Sequence, residues 1–488
     1  MHTARKVLKN TGYLTLGQVT TIGLGIAWIA FFARYIGPQG LGRYTYAQSI
    51  LAILVIFVEF GLQNLVIRSV AQDRNLVGKY FVATLTIKLT LSFLIYGLFS
   101  VFLYLHGWDA QLKQIMAVVA LTTFIQAIIG ATTTLFYAYE RMEFDAVGQI
   151  MRAFFALGLG LLAIHLGFSL VEILLVLLTT SILRLIWNAF FLLRLIELPC
   201  LRAETWFDWR FNWHLLKRSI PFAVLGMIGI VYTNILVIVL RLFVNDTYLG
   251  YFSAAQRIYT VIFIVPSMFM SAVFPALSSS LAQSMEKMAQ IYQKAYRYLF
   301  AVSAPMAIGI ILAAKPIMLL VFGKQFLPGV IVLQILALGL LNGVGYLNAP
   351  ALLAMGKEWF NALIFGVALV LVAVLCFILV PRFGMAGGSW AVVFGNLCGF
   401  AVYSTVLFKW LKLQYPFRWV VKVLGASGTM GLVVYLLLPY VNFLITSFII
   451  APSIYLGLLL ILRTFDKEDF RTLRDLVPEE LWRVVASR

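Results

Sequence analysis

The chain has 488 residues, of which 62% are hydrophobic and only 11% are charged, and its formal net charge is +18. Soluble domains carry roughly 25% charged residues, so this composition excludes a soluble globular protein and predicts an all-α integral membrane protein. Membrane-barrel strands are about 10 residues long and alternate in polarity, whereas the apolar runs of this chain are long and continuous, which argues against a barrel.

A helix of about 20 apolar residues crosses the hydrocarbon core of a bilayer, and by this measure the sequence predicts about fourteen transmembrane helices. In chain order, the predicted spans are residues 11–33, 44–66, 80–105, 114–138, 147–167, 170–193, 215–240, 249–278, 298–322, 328–354, 361–381, 384–408, 419–439 and 442–462. The first span is too long for the apolar part of a cleavable signal and lacks a small-residue cleavage pattern. We therefore interpret it as a helix that remains in the membrane.

The distribution of positive charge predicts the orientation. If the N-terminus lies inside, most of the 37 Lys and Arg residues fall in the inner segments and few in the outer ones, as the positive-inside rule requires. We expect a multi-pass protein of the cytoplasmic (inner) membrane with both termini in the cytoplasm. This bias also accounts for most of the positive charge, so membrane lipids are expected partners and nucleic acid is not.

A weak internal repeat predicts the domain organisation. Residues 42–50 (GRYTYAQSI) match residues 250–258 (GYFSAAQRI), with Gly42, Ala47, Gln48 and Ile50 aligned to Gly250, Ala255, Gln256 and Ile258. Six predicted spans separate the copies, so both enter the membrane in the same sense, which is typical of a parallel repeat. This predicts two six-helix lobes at 1–207 and 208–412, a helix pair at 413–463 and a cytoplasmic amphipathic tail at 464–488. The alternative is a chance match between two helix starts rich in small residues.

Ionisable groups inside spans are expected to face a cavity or a partner, because hydrocarbon penalises them. The candidates for binding an anionic substrate are Arg257, Arg184, Lys88 and Lys315 within spans, Gln48 and Gln256 at the repeat starts, and Arg34 upstream of the first copy. Arg257 is the strongest candidate because of its place in the repeat, and arginine suits phosphate through its bidentate fork. Snorkelling of long side chains to the interface is the alternative, above all for Lys88 and Lys315.

Carboxylates and metal-binding residues are sparse. Glu59 is the one carboxylate that the predicted spans place well inside the membrane, where we expect it to form a salt bridge or to carry a coupling ion. The three cysteines and four histidines are scattered, so the sequence predicts neither a disulfide framework nor a metal site. No cofactor is expected.

Several segments together resemble a known family. They are residues 34–44 (RYIGPQGLGRY), 59–62 (EFGL), 67–71 (IRSVA), 249–258 (LGYFSAAQRI), 274–277 (FPAL), 316–323 (PIMLLVFG) and 380–387 (VPRFGMAG). Each is short and composed mainly of glycine, proline and small residues, but their order and spacing over residues 1–410 resemble polysaccharide (O-antigen type) flippases. These belong to the multidrug/oligosaccharidyl-lipid/polysaccharide exporter superfamily.

The resemblance implies a V-shaped pair of six-helix lobes and transport by alternating access. The implied cargo is a polyprenyl-(pyro)phosphate-linked oligosaccharide, carried from the inner to the outer leaflet, and cell-surface polysaccharide assembly proteins are implied partners. Related lipid II flippases line their cavity with arginines, and Arg257 is similarly placed, although the sequence does not match a full arginine triad.

Two other functions stay open at this point. A cation-coupled multidrug exporter of the same superfamily would suit an acidic interior, whereas the residues predicted inside these spans are net cationic. A polytopic polysaccharide polymerase or glycosyltransferase would need sizeable outer loops with acids or histidines, whereas the predicted outer loops are short and their acids, Asp109 and Asp246, are isolated. We therefore expect a transporter and not an enzyme.

Overall fold

The structure is a computed structural model that describes residues 2–72, 77–195, 208–342, 345–413, 416–437, 440–442, 445–462 and 464. Within these residues all regular structure is helical and there are no strands, which confirms the predicted all-α class. The amphipathic helix predicted in the tail and Cys200 lie outside the described residues.

Fourteen α-helices follow one another in the described part of the chain. They are α1 (His2–Glu59), α2 (Leu62–Gln72), α3 (Val77–Leu105), α4 (Ala110–Ala138), α5 (Met142–His165), α6 (Leu170–Leu195), α7 (Trp209–Phe243), α8 (Asp246–Leu281), α9 (Met285–Phe322), α10 (Val330–Leu338), α11 (Gly345–Ala354), α12 (Glu358–Trp410), α13 (Phe417–Leu437) and α14 (Ala451–Ile461). Two 3₁₀ helices at Lys324–Gly329 and Gly339–Asn342 flank α10, and a π-helix at Thr446–Ile450 precedes α14.

Helices do not correspond one to one with membrane crossings. Eleven segments of the described chain are long and apolar enough to cross a bilayer, and two of them, Gly17–Val70 and Glu358–Trp410, have 54 and 53 residues. Each contains a glycine with positive φ, Gly37 at 69° and Gly384 at 55°, a conformation that glycine adopts without a side-chain clash. The segment Glu358–Trp410 therefore consists of two helices joined at a kink. The segment Gly17–Val70 consists of the two parts of α1 followed by α2, which begins after a second glycine with positive φ, Gly61.

The structure supports a multi-pass membrane protein, but it does not confirm the number fourteen. Dividing the two kinked segments gives thirteen pieces of spanning length in the described chain. The predicted last span at 442–462 corresponds to α14, which is apolar but shorter than a span.

The described residues belong to two compact units. The first unit comprises Met1–Ala254, Val321–Pro328 and Ala373–Gly388, and the second comprises Ala255–Leu320, Gly329–Val372 and Ser389–Arg488. The division into lobes at 1–207 and 208–412, with a helix pair at 413–463, stays a prediction, because α7 and the start of α8 belong to the first unit.

Each unit has its own apolar core. In the first unit, fully buried side chains such as Leu62 and Phe136 pack with Leu215 at the start of α7. In the second unit, Tyr292 and Tyr296 of α9 are fully buried, and α14 joins this core because the Tyr455 hydroxyl donates a hydrogen bond of 2.7 Å to the Ala301 carbonyl.

The two copies of the sequence repeat meet inside the first unit. A Cβ added at Gly42 would overlap the carbonyl oxygen of Asp246, and a Cβ added at Gly250 would overlap the carbonyl oxygen of Pro38. Gly42 corresponds to Gly250 in the repeat, and Pro38 corresponds to Asp246 at the same spacing. The contact is therefore reciprocal, and only glycine permits this approach of one backbone to the other.

Candidate functional site

A polar cavity of about 610 Å³ opens within the first unit. Its walls come from α1 on both sides of the Gly37 kink and from α4, α5, α6 and α7. The polar and aromatic residues that line it are Thr21, Trp28, Tyr44, Gln48, Thr122, Thr123, Gln126, Arg152, Ser181 and Asn234. Hydroxyl, amide and guanidinium groups thus converge in helices that are otherwise strongly apolar.

Arg152 supplies the charge of this cavity. It lies ten residues into α5, which places it about 15 Å along the helix axis from Met142, and among the described lining residues it is the single charged one. Arg152 also lies five residues inside the predicted fifth span, 147–167, but its positive charge was assigned to the inner segments. It was therefore not considered as an intramembrane cation.

Amide side chains flank Arg152 in the cavity wall. Gln48 donates a hydrogen bond of 2.8 Å to the Tyr44 hydroxyl, and Gln126 donates one of 3.3 Å to the Ser181 hydroxyl. Asn234 of α7 donates one of 2.9 Å to the Ile230 carbonyl. Each amide also carries a carbonyl oxygen, so these residues can accept as well as donate hydrogen bonds.

An aromatic side chain forms one wall of the cavity. Trp28 stacks on Phe32 with ring centroids 5.1 Å apart, and its ring lies over Gly160 of α5, where an added Cβ would overlap the indole. Gly160 therefore fixes the distance between Trp28 and α5, and a larger residue there would displace the indole.

Of the predicted site residues, Lys88 and Glu59 are brought together. Lys88 Nζ lies 2.6 Å from Glu59 Oε2, and the Lys88 side chain is 1% exposed while that of Glu59 is 31% exposed. Gly130 adjoins both, because a Cβ there would lie 3.1 Å from Lys88 Nζ and from Glu59 Oε1. This contact is the salt bridge that the sequence left open for Glu59, while ion coupling stays a prediction.

Arg184 lies in a second buried network and does not line the cavity, although it is close enough to Arg152 to act on it electrostatically. Its Nη2 donates a hydrogen bond of 2.8 Å to Asp145, a side chain that is fully buried. Asp145 also accepts hydrogen bonds from Thr133, Tyr137 and Gln149, at 3.0, 3.1 and 2.8 Å. Four donors therefore neutralise this carboxylate inside the helices.

Asp145 corrects an expectation from the sequence. Glu59 was expected to be the one carboxylate well inside a span, but Asp145 lies three residues into α5 and is buried. The late boundary predicted for the fifth span placed Asp145 outside the membrane. The interior of the first unit thus contains two cations that are each matched by an acid, and one, Arg152, for which the cavity supplies no carboxylate.

Arg34 holds a different position, at the end of the first half of α1. Its Nε donates a hydrogen bond of 3.1 Å to the Val321 carbonyl, and its own carbonyl accepts one of 2.7 Å from Gln325. The side chain is exposed. These contacts join α1 to the segment 321–328 of the first unit.

Gln256, Arg257 and Lys315 belong to the second unit. Gln256 and Arg257 are partly buried in α8, whereas Lys315 is exposed in α9, directly before Pro316. Their role in substrate binding stays a prediction. Within the described residues, no group of three or more His, Cys, Asp or Glu side chains is arranged to hold a metal ion.

The acids of the predicted outer loops are not isolated, which corrects a second expectation. Arg43 contacts both of them, with Nη1 3.2 Å from Asp109 and Nε 3.1 Å from Asp246, and it also hydrogen-bonds Gln111. Arg241 pairs with Asp246 at 2.6 Å. This cluster lies beside the Gly42–Gly250 crossing and joins the two repeat copies by charge as well as by packing.

Comparison with known proteins agrees with the sequence motifs. Residues 7–281 match the family described as "Polysaccharide biosynthesis protein". The "Probable low-salt glycan biosynthesis flippase Agl15" of Haloferax volcanii is 22% identical over 86% of this chain and 86% of its own length. The "Putative O-antigen transporter" of Shigella flexneri is 20% identical over 83% of this chain and 97% of its own.

A solved structure has the same fold as this chain. The structure described as "Lipid II flippase MurJ, inward closed conformation" superposes with a TM-score of 0.77 and 14% identity, covering 92% of this chain and 98% of that one. The resemblance to polysaccharide flippases is thereby confirmed, and the solved structure confirms the fold.

Proposed function

Because the chain belongs to the polysaccharide biosynthesis protein family, we propose that it is a flippase that moves a polyprenyl-(pyro)phosphate-linked oligosaccharide from the inner to the outer leaflet of the cytoplasmic membrane. The observation that carries the proposal is the polar cavity of the first unit, in which Arg152 lies without a carboxylate among the lining residues. The relatives named as a flippase and a transporter agree with a transport function and not with an enzyme.

The chemistry of the cavity fits both parts of such a headgroup. A guanidinium binds phosphate oxygens through two parallel hydrogen bonds, which is the role we assign to Arg152. The amides of Gln48, Gln126 and Asn234 can donate to and accept from sugar hydroxyls. Trp28 offers an apolar face of the kind on which a sugar ring can pack.

The other predicted cations take different places in the proposal. Lys88 and Arg184 already have acidic partners, Glu59 and Asp145, and Lys88 and Asp145 are buried. We therefore assign both cations a structural role, because transfer of either one to a substrate would break a salt bridge inside the protein. Arg257 remains the candidate of the second unit, together with Gln256 and Lys315.

Alternating access supplies the transport step. Flipping a headgroup without exposing it to hydrocarbon requires the cavity to open to one side of the membrane at a time. We propose that the Gly42–Gly250 crossing, with the ion pairs of Arg43 and Asp246, closes one route of access. The crossing belongs to the predicted outer segments, so the route that it closes is the outer one, and the positive-inside bias supports cytoplasmic termini.

The alternatives are less well supported. A multidrug exporter for organic cations would require acids in its cavity, and the described lining carries a guanidinium and no carboxylate. A polymerase or glycosyltransferase would require acids free to act on a substrate, whereas Asp109 and Asp246 are engaged with Arg43.

The proposal is tested by complementation of a flippase-deficient strain at matched membrane expression. A hydrogen bond to a charged group contributes about 1.5–3 kcal/mol, so Arg152→Ala is expected to lower transport more than tenfold. Arg152→Lys should recover part of it, since lysine keeps the charge and lacks the fork. Arg194→Ala is the matched control, because Arg194 is exposed at the end of α6 and stacks on Phe190. Full complementation by Arg152→Ala would refute the role of the cavity, and Arg257→Ala tests the second unit in the same strain.

A further inference from the structure

The start of α7 has an unusual exposed surface. Its exposed side chains follow helical spacing along one face, and they are Trp209, Arg210, Trp213, His214, Lys217 and Arg218. The two tryptophans are large and 72% and 51% exposed. Tryptophan is enriched at membrane–water interfaces, and lysine and arginine there favour acidic headgroups. We call this face the α7 stripe.

A narrow groove runs beside the α7 stripe. It is a cavity of about 290 Å³ between α3 and α7, lined on α3 by Thr86, Ile87, Thr90 and Leu91 and on α7 by Trp209, Asn212, Trp213 and Leu216. Helix α3 contributes two aliphatic side chains and two threonines, and α7 contributes both tryptophans and the amide. The groove therefore combines a wall suited to a hydrocarbon chain with the edge of a cationic surface.

Asn212 carries an unmet hydrogen-bonding requirement in this groove. Its side chain is only 5% exposed, and its Oδ1 has no hydrogen-bond partner among the described residues. Buried polar atoms are nearly always paired, because an unpaired acceptor in an apolar setting is unfavourable. An oxygen acceptor is satisfied by an N–H or O–H donor, so the groove fits a ligand that brings one.

The cations of the α7 stripe are available to a ligand. The nearby acid, Asp208, is already engaged. Its Oδ1 accepts a hydrogen bond of 3.0 Å from the Phe211 N–H, and its Oδ2 lies 3.3 Å from Lys79 Nζ. The Phe211 N–H holds the pKa of Asp208 below its usual range, and Lys79 adds to this effect. Among the described residues, Arg210, Lys217 and Arg218 form no ion pair, although Lys217 lies over the Trp213 ring at 5.4 Å.

We propose that the groove between α3 and α7 is a binding site for an acidic phospholipid with a free headgroup hydroxyl, of the phosphatidylglycerol type. Its acyl chain lies against Ile87, Leu91 and Leu216, and its phosphate lies on Lys217 and Arg218. Its headgroup hydroxyl donates to Asn212 Oδ1. The site is separate from the polar cavity and binds a membrane lipid, whether or not that lipid is transported.

The order of these groups along the helices agrees with a lipid lying in a leaflet. Both α3 and α7 begin at the end where Lys79 meets Asp208. Asn212, Lys217 and Arg218 lie within about 14 Å of the start of α7, whereas Ile87 and Leu91 lie about 15 and 21 Å from the start of α3 along its axis. The headgroup groups are thus nearer to the helix starts than the aliphatic side chains of α3, which continue towards the middle of the membrane.

The first test measures lipid binding by the purified full-length protein in micelles titrated with phosphatidylglycerol or phosphatidylethanolamine, with bound lipid counted by native mass spectrometry. Each cation near an acidic headgroup contributes about 1 kcal/mol, so Lys217→Gln with Arg218→Gln is expected to weaken phosphatidylglycerol binding about thirtyfold. The control pair, Lys287→Gln with Arg68→Gln, removes the same charge from exposed positions elsewhere and should leave binding within about twofold.

The second test concerns the hydroxyl. Asn212→Leu should weaken phosphatidylglycerol binding without lowering the melting temperature, because the substitution removes an unpaired buried acceptor. Phosphatidylmethanol, which has the same charge and no headgroup hydroxyl, should bind the unaltered protein more weakly than phosphatidylglycerol, and this comparison requires no substitution. Equal binding of these two lipids, or equal losses in the two charge pairs, would overturn the proposal. The proposal would also be overturned if Lys217→Gln with Arg218→Gln weakened the binding of a polyprenyl phosphate but not the binding of phosphatidylglycerol.

Discussion

Glu59→Gln is expected to destabilise the protein strongly. The loss should be larger than that caused by Lys88→Met, which removes the other member of the ion pair. The substitution removes the counter-charge of the Lys88 ammonium, which is 1% exposed, and leaves it only uncharged acceptors, namely the new amide oxygen and the Ala127 carbonyl at 3.5 Å. Stranding a buried charge in this way costs about 3–5 kcal/mol. Lys88→Met strands a carboxylate that is 31% exposed and therefore less completely desolvated than Lys88, so we expect a smaller cost of about 1–2 kcal/mol.

The double variant separates a stranded charge from lost packing. The variant Glu59→Gln with Lys88→Met contains no unpaired charge. Its free energy of unfolding should therefore lie within about 2 kcal/mol of that of the unaltered protein, so that it is more stable than Glu59→Gln alone. Unfolding free energies of the full-length protein in mixed micelles measure this, with Lys315→Met as a control for an exposed cation. The assignment of the Glu59–Lys88 ion pair is wrong if Glu59→Gln is at least as stable as Lys88→Met. It is also wrong if the double variant is no more stable than Glu59→Gln.

Two further substitutions probe packing in the first unit. Asp145→Asn should lower the free energy of unfolding by about 3 kcal/mol or more, because Arg184 would lose its buried counter-charge, and a change below about 1 kcal/mol in thermal or chemical unfolding would contradict this. Gly42→Ala should destabilise the protein and reduce transport, because the added Cβ must displace the Asp246 backbone. At Gly97 no atom lies within 4 Å of an added Cβ, so Gly97→Ala should be neutral or stabilise the protein by up to about 1 kcal/mol. If Gly42→Ala and Gly97→Ala shifted the melting temperature in the same direction, the close approach at Gly42 would be contradicted.

The sequence predicted the fold class well because hydrophobicity alone determines which segments can lie in a bilayer. It could not establish the number of crossings. The kinks at Gly37 and Gly384 join neighbouring spans into continuous helical runs, and α14 is shorter than the apolar segment that the sequence indicated. Hydropathy reports where a chain is apolar and does not report how its backbone bends.

The candidate site was predicted less completely, for two physical reasons. Asp145 lies near the start of α5, and a predicted boundary five residues too late placed it outside the membrane. Arg152 lies inside the predicted span, but its charge was assigned to the inner segments and it was not considered as a site residue. Boundaries are the least certain part of such predictions, because helices continue beyond their apolar segments.

The second reason is distance along the chain. The ion pairs of Arg43 with Asp109 and Asp246 join residues far apart in sequence. Such partners become visible only when the helices are assembled. The repeat was nevertheless informative, because Gly42 and Gly250, aligned from sequence alone, each occupy a position where a side chain would clash.

The most direct test of the proposed function is a flipping assay with the purified protein in vesicles that contain a fluorescent polyprenyl-pyrophosphate-linked oligosaccharide. The rate at which the glycan becomes accessible to an impermeant probe on the opposite side is measured. The proposal predicts that the unaltered protein moves the glycolipid faster than protein-free vesicles do, and that Arg152→Ala loses more than nine-tenths of this rate, about the factor given by one lost charged hydrogen bond. A rate equal to that of protein-free vesicles, or an unchanged rate for Arg152→Ala, would contradict it.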